Sequence, residues 1–155
     1  MICSARKVLC GRQLNDVKTG DNKDLGTSLH RRFEGCGTLN ADDPVRFTTV
    51  VSLCPELLRE AQGITYIRIP IADAQPIPPA QFEEIMKTLA EQISRETILL
   101  VCAAGMSRSP IMAAAWLHCS GNLAFEAAMR HIGGLRPTID PSPILLRSVR
   151  GNLSR

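Results

Sequence analysis

Aromatic residues are scarce in this chain: one Trp, one Tyr and four Phe in 155 positions. Much of any core must therefore be aliphatic, built from Leu, Ile, Val and Ala. An excess of charge of one sign is also nearly missing. The formal net charge is +3, compatible with anionic substrates but far from the signature of a nucleic-acid binder, and the pair Arg31-Arg32 is too short for a polybasic patch. Most arginines read as solvated surface. Long apolar runs are absent: the longest, Ile98 to Met106, has about half the length of a membrane-spanning helix, so no membrane insertion is expected. Met1 to Lys7 hold no apolar stretch of signal-peptide length. Cys3, Cys10, Cys36, Cys54, Cys102 and Cys119 form neither a secretory disulfide pattern nor a Cys-x-x-Cys pair with histidines placed for zinc. A reducing, cytoplasmic compartment is the expectation. What is present is a 45% hydrophobic content, enough for a folded globule. The length suits one domain over residues 1–155 that needs no metal or disulfide staple. Residues 1–40 form its least well specified segment.

Short apolar runs and breakers divide the chain. Residues 7–10 read as an opening strand, 15–26 as a polar loop and 28–33 as a turn or two of helix. The β-branched stretch 46–53 is a strand. Pro55 opens a short helix through Leu57, Leu58 and Ala61, which Gly63 stops. Residues 64–69 alternate as a strand, and 71–79, with three prolines and no periodicity, form an ordered loop. A helix over 80–93 places Phe82, Ile85, Met86, Leu89 and Ile93 on one stripe. Residues 97–101 then form a strand covered on both faces. The helix over 111–119 is apolar almost all round and breaks at Gly121. Another over 123–132 carries Phe125, Ala128, Met129 and Ile132, and Gly133-Gly134 and 137–143 belong to the following loop. Ser142 and Pro143 suit the cap and first turn of a last helix bearing Leu145, Leu146 and Val149. This order predicts an α/β fold with a central, mostly parallel twisted sheet flanked by helices. Ligands of such sheets sit beyond the C-terminal ends of the strands, where Cys102 lies.

The stretch Cys102-Ala103-Ala104-Gly105-Met106-Ser107-Arg108-Ser109 is the turn from that strand into a helix, with Pro110 in the first helical turn. A tight turn of this kind points backbone N–H groups inward, and with the helix N-terminus they form an anion site of phosphate size. A thiol at its floor and a guanidinium at its rim supply a nucleophile and a clamp for one phosphoryl group. Gly105 allows the turn to be tight and the amides to approach the anion.

Val101 to Pro110 resembles the signature loop of the protein tyrosine phosphatase superfamily, and looks most like that of its small, atypical dual-specificity phosphatases. The resemblance extends upstream to Asp73 in the setting Ile69-Pro70-Ile71-Ala72-Asp73, to the amphipathic helix between, and to Leu135-Arg136-Pro137-Thr138-Ile139 downstream. It covers residues 45–149 well and the first forty poorly. It implies a dual-specificity phosphatase-like fold and hydrolysis through a phosphocysteine. Cys102 would attack phosphorus, Arg108 would grip two phosphoryl oxygens through its fork, and the amides of Ala103, Ala104, Gly105, Met106 and Ser107 would line the phosphate loop. Asp73 would protonate the leaving oxygen and then serve as base for water. The Ser109 hydroxyl would assist the thiolate as leaving group. No metal or cofactor is called for. One departure stands out: most relatives carry a histidine before the nucleophile that supports the loop, and Val101 supplies no such hydrogen bond.

The loop brings no cation besides Arg108, so a phosphorylated protein or peptide fits better than a highly charged phosphoinositide. The chain has no counterpart of the long tyrosine-recognition segment of larger tyrosine phosphatases. The resemblance therefore implies a shallow pocket, taking phosphotyrosine as well as phosphoserine and phosphothreonine, in a monomer. The alternative is a phosphate-binding scaffold that keeps the fold and hardly turns over. Low-molecular-weight phosphatases and arsenate reductases open with their loop, whereas here it sits two-thirds along, and rhodanese-like sulfurtransferases call for neither Asp73 nor the Arg108-Ser109 pair. Asp140 is a weaker candidate than Asp73 for the acid, and Arg136 reads as an ion-pair residue of the C-terminal loop rather than a substrate contact. Met106 is either an aromatic contact or loop packing. Cys54 is either a buried small hydrophobe or, as in some superfamily members, the redox partner of Cys102.

Overall fold

The computed structural model describes residues 8–11, 48–55, 63–95, 98–121 and 123–155. The readings of residues 15–26, 28–33 and 56–62 lie outside them. Among the described residues four strands form one sheet: β1 Val8–Gly11, β2 Thr49–Ser52, β3 Thr65–Arg68 and β4 Ile98–Val101. Their order is β1-β4-β2-β3 and every pairing is parallel. The α/β architecture with a parallel sheet is thus as expected. Within the described part of the run 46–53, β2 ends at Ser52, although the Leu53 N–H still donates to the Val101 carbonyl at 2.8 Å.

β4 shows how the sheet is buried. Side chains alternate along a strand, and Ile98, Leu100 and Cys102 share one core with Val51, Leu53, Ile69 and residues from the helices. Val50, Leu99 and Val101, on the opposite face, are also fully buried, as a parallel sheet requires.

Four helices complete the described fold: α1 Pro79–Arg95, α2 Arg108–Gly121, α3 Phe125–Leu135 and α4 Pro143–Leu153. In α1 the buried stripe is Phe82, Ile85, Leu89 and Ile93; each such side chain contributes about 1.5–3 kcal/mol over its exposed state. α2 is buried from Arg108 to Ala115 and packs on β4 and β1, with α3 and α4 beside it. It begins at Arg108, earlier than its apolar run, because a buried Arg and Ser complete its first turn.

Two local readings need correction. Gly133 and Gly134 do not open a loop; they continue α3, and the Arg136 N–H still bonds the Ile132 carbonyl at 2.9 Å. Glycine costs a helix about 1 kcal/mol relative to alanine, which the packing of Ile132 on the core offsets. Ser142 does precede α4 with Pro143 in its first turn, but its side chain makes no capping bond. Its backbone N–H is engaged elsewhere, in the site.

Candidate active site

Cys102 is the first residue after β4 and is 2% exposed. Residues 103–107 then turn the chain into α2. Gly105, buried in that turn, has φ of +66°, a conformation in which an L side chain meets its own carbonyl at a cost of roughly 1–2 kcal/mol. Gly105→Ala should therefore lower unfolding stability by about that amount and weaken retention of inorganic phosphate, as denaturant titration and calorimetry would show; unchanged values in both would mean that the turn tolerates a side chain.

The Ser107 carbonyl accepts the Ile111 N–H at 3.1 Å and so begins α2. The first N–H groups of a helix have no partner within it, and here one of them reaches sulfur. Ser109 N–H donates to Cys102 Sγ at 3.4 Å, and Ser109 Oγ lies 3.2 Å from the same atom. Both contacts suit an anionic sulfur. Ser109 is fully buried, so water does not compete for them.

Arg108 has a side chain only 7% exposed. Its Nη1 donates to the Ile71 carbonyl at 3.2 Å, and its Nε stands 3.7 Å from Asp73 Oδ1. The second distance exceeds a hydrogen bond, and the Asp73 side chain is 70% exposed. A guanidinium has five N–H donors, and burying its charge is costly unless those donors are answered. An anion at the mouth of the turn would answer them. Asp73 itself sits in a local turn, its Oδ1 accepting the Ala74 N–H at 3.2 Å. Ala74 has φ of +50°, a left-handed conformation costing a non-glycine residue on the order of 1–3 kcal/mol.

The turn is also fastened from behind. Asp140 N–H donates to the Met106 carbonyl and Ser142 N–H to Ser107 Oγ, both at 2.9 Å. Asp140 is thereby brought against the turn through its backbone. Ala104 is exposed, while Ala103, Met106 and Ser107 are half-buried. On the neighbouring strand Cys54 is fully buried, with its Sγ 3.2 Å from Ser52 Oγ. β2 and β4 are adjacent and parallel, with Ser52 opposite Val101, so Cys54 and Cys102 both follow the C-terminal ends of paired strands. Ser148 and Asn152, which hold the Asp73 loop from α4, were not singled out in the sequence; their signal is a polar pair four residues apart beside the buried Leu145 and Val149. Among the described residues no three His, Cys, Asp or Glu side chains cluster as metal ligands, and no helix is long and apolar enough to cross a membrane.

This strand–turn–helix is shared with known proteins. The family model for the dual specificity phosphatase catalytic domain matches residues 37–151. The chain belongs to the dual-specificity phosphatases. Human dual specificity protein phosphatase 15 is 28% identical over 100 residues, covering 63% of this chain and 34% of that protein. The tyrosine-protein phosphatase yvh1 of Schizosaccharomyces pombe is 32% identical over 112 residues, 71% of this chain and 34% of that protein. The chain thus spans about a third of the length of the curated relatives it matches. Among solved structures, human DUSP28 superposes with a TM-score of 0.72 at 17% identity, covering 99% of this chain and 94% of that one. The arrangement of Cys102, Arg108 and Ser109 is consistent with the active site of a cysteine-based phosphatase, on the fold of this family.

Proposed function

We propose that this protein is a phosphoprotein phosphatase that hydrolyses phosphotyrosine, and in a shallow pocket phosphoserine and phosphothreonine, through a phosphocysteine at Cys102. The observation that carries this reading is the buried Arg108 guanidinium beside a sulfur that takes two contacts from Ser109. Cys102 attacks phosphorus, and the positive field of Arg108 and the α2 N-terminus favours the transferring phosphoryl group. Asp73 delivers a proton to the departing oxygen, then takes one from the water that clears the phosphocysteine. Ser109 donates to the sulfur as it leaves. The matched residues act as one catalytic domain, in a monomer of the cytoplasm. A panel of peptides phosphorylated on Tyr, Ser or Thr, with acid quenching to trap phosphate on Cys102, tests the reading. Phosphate release without a trapped thiophosphate ester would overturn the covalent route.

The second reading, a phosphate-binding scaffold, draws support from Val101, which is fully buried in β4 and offers no hydrogen bond to the loop. Binding of phosphopeptide with no release of phosphate from any member of the panel would establish it.

The pairing of β2 with β4 supports a redox partnership between Cys54 and the nucleophile. Peroxide would oxidise the Cys102 thiolate to sulfenic acid, and the Cys54 thiol would then displace hydroxide from that sulfur to give a disulfide and water. Cys119 is a poorer partner because it lies eleven residues into α2 from Arg108, about 16 Å along the axis. Mild peroxide should produce a Cys54–Cys102 bridge in non-reduced peptide maps, with activity restored by thiol. Sulfinic acid at Cys102 with Cys54 untouched would show that the two do not meet.

A further inference from the structure

The segment that bears Asp73 links β3 to α1, and its residues 72–76 are exposed. Ile71 and Ile77, on either side, are buried, 1% and 4% exposed. A buried residue must find partners for its own N–H and C=O. Ile71 finds them at the site: its N–H donates to the Leu53 carbonyl at 3.0 Å and its carbonyl accepts from Arg108. Ile77 is served from α4. Its N–H donates to Ser148 Oγ at 2.8 Å, the Ser148 hydroxyl donates back to its carbonyl at 3.2 Å, and Asn152 Nδ2 donates to the same oxygen at 3.1 Å. Ser148 and Asn152 are one helical turn apart and so lie on one face, next to the buried Val149.

The carboxyl group has little hold of its own. It is largely exposed, bonds its neighbour's amide and stands 3.7 Å from Arg108. Its place is therefore set by the backbone on both sides, through a left-handed Ala74 that persists only where its surroundings over-determine it. One flank is pinned by the phosphate-binding arginine and the other by α4.

We infer that Ser148 and Asn152 are positioning residues for Asp73, clasping the Ile77 end of the acid segment so that the carboxyl reaches the leaving oxygen. This rests on the phosphatase reading above. Neither side chain touches the reacting atoms; both act through the Ile77 backbone.

The test compares the double variant Ser148→Ala/Asn152→Ala with wild type on two esters. Misplacing a catalytic group by about 1 Å costs up to roughly 10²-fold, so kcat on an alkyl phosphate, whose alkoxide must be protonated, should fall about 10–100-fold. On dinitrophenyl phosphate, which leaves unprotonated, the change should stay within about 2-fold. Inhibition by inorganic phosphate, a readout of Arg108 and the turn, should hold. In an Asp73→Asn background the double variant should add nothing, because groups acting through one another are not additive. Ser148→Thr, which keeps a hydroxyl, should recover the alkyl phosphate rate that Ser148→Ala loses. Equal losses on both esters would overturn the inference and make α4 a general support of the fold; so would no loss on either. If the double variant does not fold, Asn152→Ala alone, which leaves both Ser148 bonds in place, should still slow the alkyl ester more than the aryl one. A wild type that hydrolyses neither ester would bring down the phosphatase reading and this inference together, whereas an active wild type with an unaffected variant brings down the inference alone.

Discussion

Cys102→Ser should abolish turnover of an aryl phosphate while leaving phosphopeptide binding almost intact. Serine keeps nearly the size of cysteine, and both Ser109 contacts, now 3.2 and 3.4 Å from sulfur, remain available to a hydroxyl. The nucleophilic sulfur is what disappears. A serine hydroxyl without an adjacent base is a weak nucleophile, and among the described residues it is the Ser109 hydroxyl and the α2 amide that contact position 102. Loss of a nucleophile of this kind costs on the order of 10⁴–10⁶ in kcat. On the proposed mechanism binding rests on different atoms, chiefly the Arg108 fork and the amides of the turn, so the affinity measured by calorimetry should change little. Turnover of the serine variant within tenfold of wild type would remove Cys102 from the chemistry. Loss of binding in step with turnover would mean that the thiol holds the turn in shape.

The strand, turn and helix around Cys102 were legible because each part is local. Four apolar residues in Ile98–Val101, a Gly at the one position of the turn with positive φ, and a Pro in the first turn of α2 carry their own signals within a dozen residues. The parallel sheet followed from the alternation of strands and helices, but its order did not: that β4 lies between β1 and β2 depends on packing that no window of sequence contains. The errors were also local preferences overruled by distant partners. Gly133-Gly134 has the composition of a loop, yet the core contact of Ile132 keeps it helical. Ser142 has the chemistry of a helix cap, yet its side chain makes no such bond and its amide goes to Ser107, thirty-five positions away. Asp73 was placed by resemblance alone, since nothing in residues 71–79 reveals a contact with Arg108. The clasp of Ser148 and Asn152 on Ile77 spans 71 and 75 positions. Its trace in the sequence is only that a helix with Leu145 and Val149 buried puts two polar side chains on the adjoining surface, and polar groups there need partners.

Asp73→Asn separates proton donation from loop support. An asparagine oxygen can still accept the Ala74 N–H that Asp73 Oδ1 takes at 3.2 Å, so the local turn survives, while the group can no longer give up a proton. If Asp73 is the general acid, kcat for an ester with a poor leaving group should fall on the order of 10²–10⁴-fold. A nitrophenyl ester should lose far less, because nitrophenolate departs without a proton. Removing the carboxylate also takes a negative charge from 3.7 Å off Arg108 Nε. That contact is long and the carboxylate exposed, so screening leaves it a small effect, and phosphate affinity should rise slightly if it moves at all. The pattern of losses is thus opposite in kind to that of Cys102→Ser, which spares no leaving group. An equal drop on both esters would assign Asp73 to holding the segment in place and turn attention to Asp140, whose amide already bonds the turn at the Met106 carbonyl. The same two-ester comparison on Asp140→Asn would then show the leaving-group dependence that Asp73→Asn lacked.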